Sequence, residues 1–167
     1  FEIKKKERIL LEGPNGCGKS TLLRILTDRI APSSGSFRFG AGIHWSYYAQ
    51  DLSDLNEKNT VFDEIWHHVN RARKGHDIMG MTEIRRNLGA FGFTGEDVYK
   101  KIASLSGGEK ARVALQKIIY DHANLLILDE PTNHLDTQTR EVLEEALLAF
   151  EGAILMVSHD RYFTGKI

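Results

Sequence analysis

A single cysteine, Cys17, occurs in the 167 residues. That excludes an internal disulfide framework and fits a reducing compartment. No apolar run reaches the roughly 20 residues needed to span a bilayer, and no basic segment leading into an apolar one marks a signal peptide. Net charge is nearly absent: 22 Lys and Arg against 23 Asp and Glu leave a formal −1. The basic excess of a nucleic-acid-binding or membrane-binding surface is therefore missing. His67, His68 and His134 lack the spacing of zinc ligands and read as surface or structural residues. Internal repeats and low-complexity tracts are missing too. What remains is ordinary, 41% hydrophobic and 27% charged, with enough chain for one globular domain and a proper core. The chain opens at Phe1 in strand-like sequence and stops soon after a motif, as an excised piece of a larger protein does.

Against this background one run stands out. Gly13, Pro14, Asn15, Gly16, Cys17, Gly18, Lys19, Ser20 and Thr21 follow the pattern G-x-x-x-x-G-K-[ST] of a phosphate-binding P-loop. Glycines let the backbone curl until several N–H groups point at one phosphate chain. Lys19 adds a point charge near the β- and γ-phosphates, and Ser20 offers a hydroxyl to Mg²⁺. The run follows the apolar patch Ile9–Leu11 and opens a helix whose buried face is Leu22, Leu23, Ile25, Leu26 and Ile30. The positive end of that helix faces the phosphates. A Gly-rich structural turn is the alternative, and the strand–loop–helix context argues against it. Cys17 reads as a packing residue inside the loop rather than a redox switch.

The rest of the chain alternates in texture. Residues 1–11 suggest a hairpin, with Phe1 and Ile3 alternating with polar residues before a charged turn and a second strand. The first helix should stop near Pro32, where Pro32–Gly35 makes a turn. Phe37 with Phe39, and Ile43 with Trp45 and Tyr47, alternate as half-buried strands do. From Asp51 to Ala103 charge rises and helix starts recur, with capping boxes expected at Thr60–Asp63 and Thr94–Asp97. This stretch reads as an inserted helical subdomain. Leu125–Leu128 and Ala153–Val157 are apolar on both faces, as buried parallel strands are. Between them a helix over 138–150 should bury Val142, Leu143, Ala146, Leu147 and Phe150.

Three further constellations carry chemistry. The strand Leu125–Leu128 ends in Asp129 and Glu130, and buried parallel strands deliver their C-terminal residues to the ligand edge of a sheet. There Asp129 would hold Mg²⁺ and Glu130 would act as general base on an attacking water. Alternatively the pair is a strand end in solvent. Leu105, Ser106, Gly107, Gly108 and Glu109 open a helix, with Ser106 and Glu109 forming a capping box and Ala111, Ala114, Leu115, Ile118 and Ile119 on its apolar face. It is either simply a well-capped helix or one whose bare first turn admits a ligand, since two glycines there weaken it by about 1 kcal/mol each. His159 follows the strand Ala153–Val157 at the same sheet edge as Asp129, within reach of a γ-phosphate or as a structural histidine. Gln50, after the Ile43–Tyr48 strand, is placed to sense Mg²⁺ or water, or is structurally incidental.

In this order the motifs resemble those of the ATP-binding cassette (ABC) ATPases, over essentially the whole chain. Gly13–Thr21 is similar to Walker A, Gln50 to the Q-loop, Leu105–Glu109 to the family signature, Leu125–Glu130 to Walker B, Asn133–Asp136 to the D-loop and His159 to the switch histidine. The resemblance implies an α/β fold: a P-loop NTPase core with a mostly parallel sheet, an antiparallel N-terminal strand region and an inserted α-helical signature subdomain. It implies one domain over 1–167, with 1–50 and 104–167 as a RecA-like core and 51–103 as the insert. ATP and Mg²⁺ are the implied cofactors, with Ser20, Gln50 and Asp129 toward the metal. In this family two cassettes pair head to tail, so Ser106, Gly107, Gly108 and Glu109 would meet a nucleotide held by the partner cassette, and Asp136 would lie at the seam.

Finer wording points to one branch. Leu105–Leu115, Asp129–Asp136 and Val157–Phe163 resemble the ABC-F proteins, cytoplasmic twin-cassette ATPases, many of which act on ribosomes in translation or antibiotic resistance. Gly92–Val98 resembles their second, C-terminal cassette. Glu109 stands where the wider family most often carries Gln, a departure common in this branch. The aromatic that stacks on adenine would lie upstream of Phe1, and the basic linker that meets ribosomal RNA lies outside this chain. Two other functions stay open on sequence alone: the motor domain of a membrane transporter, and a nucleotide-gated scaffold.

Overall fold

Two apolar runs set the architecture. In the computed structural model, which describes residues 1–49, 52, 54–71, 78–121, 123–133 and 135–167 except the side chain of Gln138, the chain divides into two units. The first comprises Phe1–Gln50, His122–Asn133 and Leu147–Ile167; the second comprises Asp51–Asp121 and His134–Ala146.

The first unit is built on a four-stranded sheet of β1 (Arg8–Leu10), β2 (Trp45–Tyr48), β3 (Leu125–Asp129) and β4 (Ala153–Val157), in the order β1-β4-β3-β2. All three pairings are parallel, with Leu10 opposite Met156, Asp129 opposite Val157 and Tyr48 opposite Leu128. Every residue of β3 and β4 is buried. Strands covered on both faces select the unbroken apolar runs that the sequence shows there. The core gathers Leu23 with Tyr47, Leu125, Ile127, Leu155 and Val157. Leu23 comes from α1 (Lys19–Leu26). Helix α6 (Arg161–Thr164) is capped by Asp160, whose carboxylate accepts from the N–H groups of Tyr162 and Phe163, and Phe163 is fully buried.

Arg8 binds this unit together. Its guanidinium donates to the carbonyls of Phe150 and Gly152, tying the edge strand to the turn that enters β4. Glycine is obligatory in that turn, because a Cβ at Gly152 would stand 2.4 Å from the Asn124 carbonyl oxygen and 2.5 Å from the Phe150 ring. That turn follows α5 (Thr137–Ala149), which buries Leu143 and Leu147 as expected and Thr139 and Glu144 besides.

The second unit holds α2 (Val61–Asn70), α3 (Met81–Ala90) and α4 (Gly107–Tyr120), with 3₁₀ turns at Gly95–Tyr99 and Ile102–Ser104. Val61, Ile65, Ile84, Leu88, Phe93, Ile102 and Val113 form its core. A buried ion pair crosses from α4 to α2: Lys117 Nζ lies 2.6 Å from Glu64 Oε1, and the other Glu64 oxygen accepts from Asn59 at 2.8 Å. A buried carboxylate is tolerated only when paired in this way. His68 Nε2 is 2.7 Å from Asp121 Oδ1 and 3.1 Å from the Lys117 carbonyl, a structural role, while His67 is exposed.

The expected antiparallel N-terminal strand region is not formed among the described residues. The charged turn exists, with Glu7 N–H bonded to the Lys4 carbonyl and Lys6 at φ 68°. Phe1–Ile3 nevertheless pairs with nothing in the sheet, and Phe1 is 82% exposed. Three residues can make too few cross-strand bonds to hold a ribbon. The strand expected at Phe37–Phe39 is likewise irregular. Its aromatics pack on each other instead, edge to face at 5.8 Å, and Phe39 stacks on Trp45 at 6.3 Å.

Helix α1 ends at Leu26, well before Pro32, because Asp28 takes left-handed backbone at φ 55° and the N–H groups of Asp28 and Arg29 turn back to the carbonyls of Ile25 and Arg24, which leaves Ile30 exposed rather than on the buried face. Ile119 is exposed too, and Val113 takes its place in the core. Thr94 precedes a 3₁₀ turn without a side-chain cap, whereas Thr60 caps α2 by accepting from Asp63 N–H at 3.0 Å.

Candidate functional site

Parallel register brings the chemistry to one edge of the first unit. Leu10, Asp129 and Val157 stand in neighbouring rows at the C-terminal ends of β1, β3 and β4. The segments that leave those ends are the Gly-rich loop, Glu130 and Ser158–His159.

The loop curls as its glycines permit. Gly13, Gly16 and Gly18 adopt φ of 155°, 79° and 100°, conformations in which a side chain is strained. Gly18 is the N-cap of α1 and supplies no side-chain cap to its first turn. Uncapped N–H groups at a helix start, together with the nest made by αL glycines, attract anions. Lys19 Nζ donates to the carbonyls of Gly13 at 2.7 Å and Pro14 at 3.1 Å, which folds its charge back over the loop. Asn15 and Thr21 are exposed, as is Cys17, so Cys17 is not a core packing residue. Its sulfur lies where a Cβ at Gly13 would meet it at 2.8 Å.

Ser20 Oγ donates to Asp129 Oδ1 at 3.0 Å. A hydroxyl and a carboxylate side by side are hard oxygen donors, and two of them suit Mg²⁺, which keeps most of its water. The first unit thus fits a polyphosphate with its metal: a cationic side chain and N–H nest for the anion, and a paired oxygen set for the cation. No group of three or more His, Cys, Asp or Glu placed to hold a metal occurs among the described residues.

Tyr47 is the residue that sequence reading missed here. Its hydroxyl approaches Asp129 Oδ2 at 3.5 Å, and the Arg29 guanidinium sits 4.8 Å over its ring. Burial, then the Asp129 charge, push the phenol up to about 12, so it stays a neutral donor. A tyrosine on the inner face of a strand needs a partner for its hydroxyl, and that was the available signal.

Glu130 follows Asp129 with φ 51°, left-handed backbone that is rare for a side chain of its size and that gathers at functional sites. Its own N–H bonds the Val157 carbonyl at 2.9 Å, and its carbonyl accepts from Asn133 at 3.1 Å. These two bonds hold the unusual turn. The carboxylate is gripped by residue 159 from two sides: His159 N–H donates to Oε2 at 3.2 Å, and the imidazole Nε2 stands 3.5 Å from Oε1. The Glu130 side chain is mostly covered while that of His159 is 57% exposed. Gln50 lies outside the described residues, as does His134.

The second unit carries the remaining candidates. Ser106 and Glu109 form the full capping box of α4, with Ser106 N–H donating to Glu109 Oε2 at 2.8 Å and Glu109 N–H to Ser106 Oγ at 3.3 Å. Those bonds hold the Glu109 carboxyl below its ordinary value. Nothing lies within 4 Å of where a Cβ at Gly107 would be, so the glycine is not imposed by packing. Asp136 precedes α5, accepts from Thr139 N–H at 2.8 Å and pairs with Arg112 at 2.8 Å.

The chain is similar in sequence and in fold to known proteins. The ABC transporter family model matches residues 1–133. The ATP-binding protein YdiF of Bacillus subtilis (strain 168) is 47% identical over 167 residues, all of this chain and 25% of its own length. The energy-dependent translational throttle protein EttA of Escherichia coli (strain K12) is 39% identical over 171 residues, covering 100% of this chain and 30% of its own. This chain therefore spans 23–30% of the length of the curated relatives it matches. Among solved structures, the complex of archaeal ribosomal stalk protein aP1 and archaeal ribosome recycling factor aABCE1 superimposes with a TM-score of 0.76 at 26% identity, over 99% of this chain and 31% of the other. No helix among the described residues is long and apolar enough to cross a membrane. The chain belongs to the ABC transporter family, as an ATP-binding cassette of the ABC-F kind to which YdiF and EttA belong.

Proposed function

We propose that this chain is the ATP-hydrolysing cassette of a cytoplasmic ABC-F protein that acts on the ribosome, and that it closes head to tail on a second cassette. The observation that carries the hydrolytic part is the Glu130–His159 pair beside Ser20 and Asp129. The loop Gly13–Thr21 would bind the phosphates, with Lys19 as counter-charge. Ser20 and Asp129 would hold Mg²⁺, with Gln50 assisting; the metal would draw charge from the phosphates. Glu130 would take the proton of the attacking water, and His159 would orient Glu130 and approach the γ-phosphate.

In this reading the bare first turn of α4, Ser106–Glu109, serves the nucleotide of the partner cassette and Asp136 lies at the seam with it, while 51–103 is the helical insert within one domain over 1–167. Ribosome action is supported by the name of EttA and by the ribosome recycling factor of similar fold. Contacts to ribosomal RNA would lie largely outside this chain.

The test is co-sedimentation of the full-length parent carrying Glu130→Gln with ribosomes, with and without ATP. ATP-dependent pelleting is expected. Binding of ATP without pelleting would remove the ribosome from the assignment and favour another partner, such as a membrane subunit.

A further inference from the structure

The Arg112–Asp136 ion pair joins two segments that the proposed function uses separately: α4, whose first turn carries Ser106–Glu109, and the turn that starts α5. We propose that Arg112 is a positioning residue that fixes the Asp136 turn to α4, so that both surfaces meant for the partner cassette are presented as one rigid body. This rests on the head-to-tail reading and adds to it a residue that faces no nucleotide.

The geometry is that of an anchor and a presented group. Arg112 Nη1 lies 2.8 Å from Asp136 Oδ2. The other oxygen, Oδ1, accepts from Thr139 N–H at 2.8 Å, so both carboxylate oxygens are committed and the carboxyl plane is set. The guanidinium stands 5.5 Å over the ring of Phe93, which is 1% exposed and belongs to the core of the second unit. The side chain of Arg112 is 20% exposed and that of Asp136 is 55% exposed. The arginine is thus held from beneath by the core and offers one nitrogen to an acid facing solvent. Its buried Nε has no hydrogen-bond partner among the described residues, so no competing bond from them turns the fork away from Asp136.

A plain helix-capping role for Asp136 would need only the Thr139 bond. The added arginine reaches across 24 residues of sequence, and its planar, stacked fork is not reproduced by lysine. When α4 moves, the Asp136 turn must move with it.

The experiment uses the full-length parent with R112A, R112K, D136N and the R112A/D136N double variant, reading kcat and KM for ATP in steady-state phosphate release. Binding of a fluorescent ATP analogue and circular dichroism are read alongside. The expected result is a fall in kcat of about tenfold in R112A and D136N, with analogue affinity within twofold of wild type. The double variant should lose no more than either single, since coupled residues are not additive. R112K should remain at least threefold below wild type. If R112A fails to fold, D136N carries the test, because it removes the ion pair at a largely exposed position. Wild-type kcat in D136N, or losses that multiply in the double variant, would overturn the proposal. A parent that hydrolyses no ATP at all overturns the cassette reading and this inference with it. Turnover that is lost in E130Q but intact in the Arg112 and Asp136 variants overturns this inference alone.

Discussion

At the scale of single residues, the site turns on charges placed by main-chain geometry. Lys19 stands on the first turn of α1, where its ammonium already bonds two loop carbonyls. Lys19→Ala removes the one formal positive charge that the loop motif provides and should weaken ATP binding by about 2 kcal/mol, roughly 30-fold, since hydrogen bonds to charged groups are worth about that much. Equilibrium titration with a fluorescent nucleotide reads this directly, and unchanged affinity would take Lys19 out of the phosphate site. Glu130 is the opposite case. Its φ of 51° and its two contacts with residue 159 aim a carboxylate without binding anything tightly. Glu130→Gln keeps the shape and removes the base. Turnover should fall by about 10²- to 10⁴-fold, the usual contribution of general base catalysis, with nucleotide affinity retained. Normal turnover would show that another group accepts the proton.

At the scale of elements, caps and tight turns decide whether the helices and strands reach the places where these residues are useful. The Ser106–Glu109 box closes the otherwise weak start of α4, where two glycines follow the cap. Ser106→Ala should reduce stability by about 1 kcal/mol, a drop of roughly 2–4 °C in a domain of this size, measurable by thermal denaturation. The same caps predict an acid limit. The Asp136 carboxyl is held below its ordinary 3.8 chiefly by Thr139 N–H, and that of Glu109 below its ordinary 4.5 chiefly by Ser106 N–H. A depressed carboxylate contributes stability that is complete above the unfolded-state value and disappears as pH falls through the folded one. Melting temperature should therefore fall on acidification below about pH 4.5, and Glu109→Gln, which removes one of the two carboxylates, should flatten part of that fall. A pH-independent melting point between pH 6 and 3 would contradict it. In the sheet, Gly152→Ala puts a methyl group against the Asn124 carbonyl and should destabilise by about 1–3 kcal/mol, as overpacking does. Denaturant titration that finds the variant as stable as wild type would mean the turn can move away.

At the scale of the whole molecule, the Ser106–Glu109 turn belongs to a different unit from the Gly13–Thr21 loop. Under the proposed function each site is completed by another cassette. The isolated chain should therefore be a slow ATPase whose specific activity rises with protein concentration, as bimolecular assembly requires. Rapid hydrolysis independent of concentration would show that one cassette suffices.

Much of this was legible from residue order, and for identifiable reasons. The loop motif, the acids after Leu128 and the histidine after Val157 sit at strand ends, and a buried parallel strand is recognisable from an unbroken apolar run. Their convergence follows because parallel strands carry their C-termini to one edge. The cap at Thr60 and the capping box at Ser106 were legible because they act within four residues. What failed depended on distant neighbours. Phe1–Ile3 and Phe37–Phe39 have the alternation of strands, but alternation supplies no pairing partner. Ile119 fits an apolar stripe, but the face a helix buries is settled by what packs on it; Ile30 falls beyond α1 for a local reason, the left-handed backbone at Asp28.

The chain's own chemistry thus determined its family, its central strands and the set of polar residues at their ends, because those signals are local and written in residue type and spacing. Only the tertiary structure decided that Tyr47 would lean on Asp129, that Arg8 would clasp the turn before β4, that Glu130 would be gripped by residue 159 in a left-handed turn, and that Arg112 would reach Asp136. Each of those contacts joins segments far apart in sequence, and such pairings follow from register and packing rather than from any pattern along the chain.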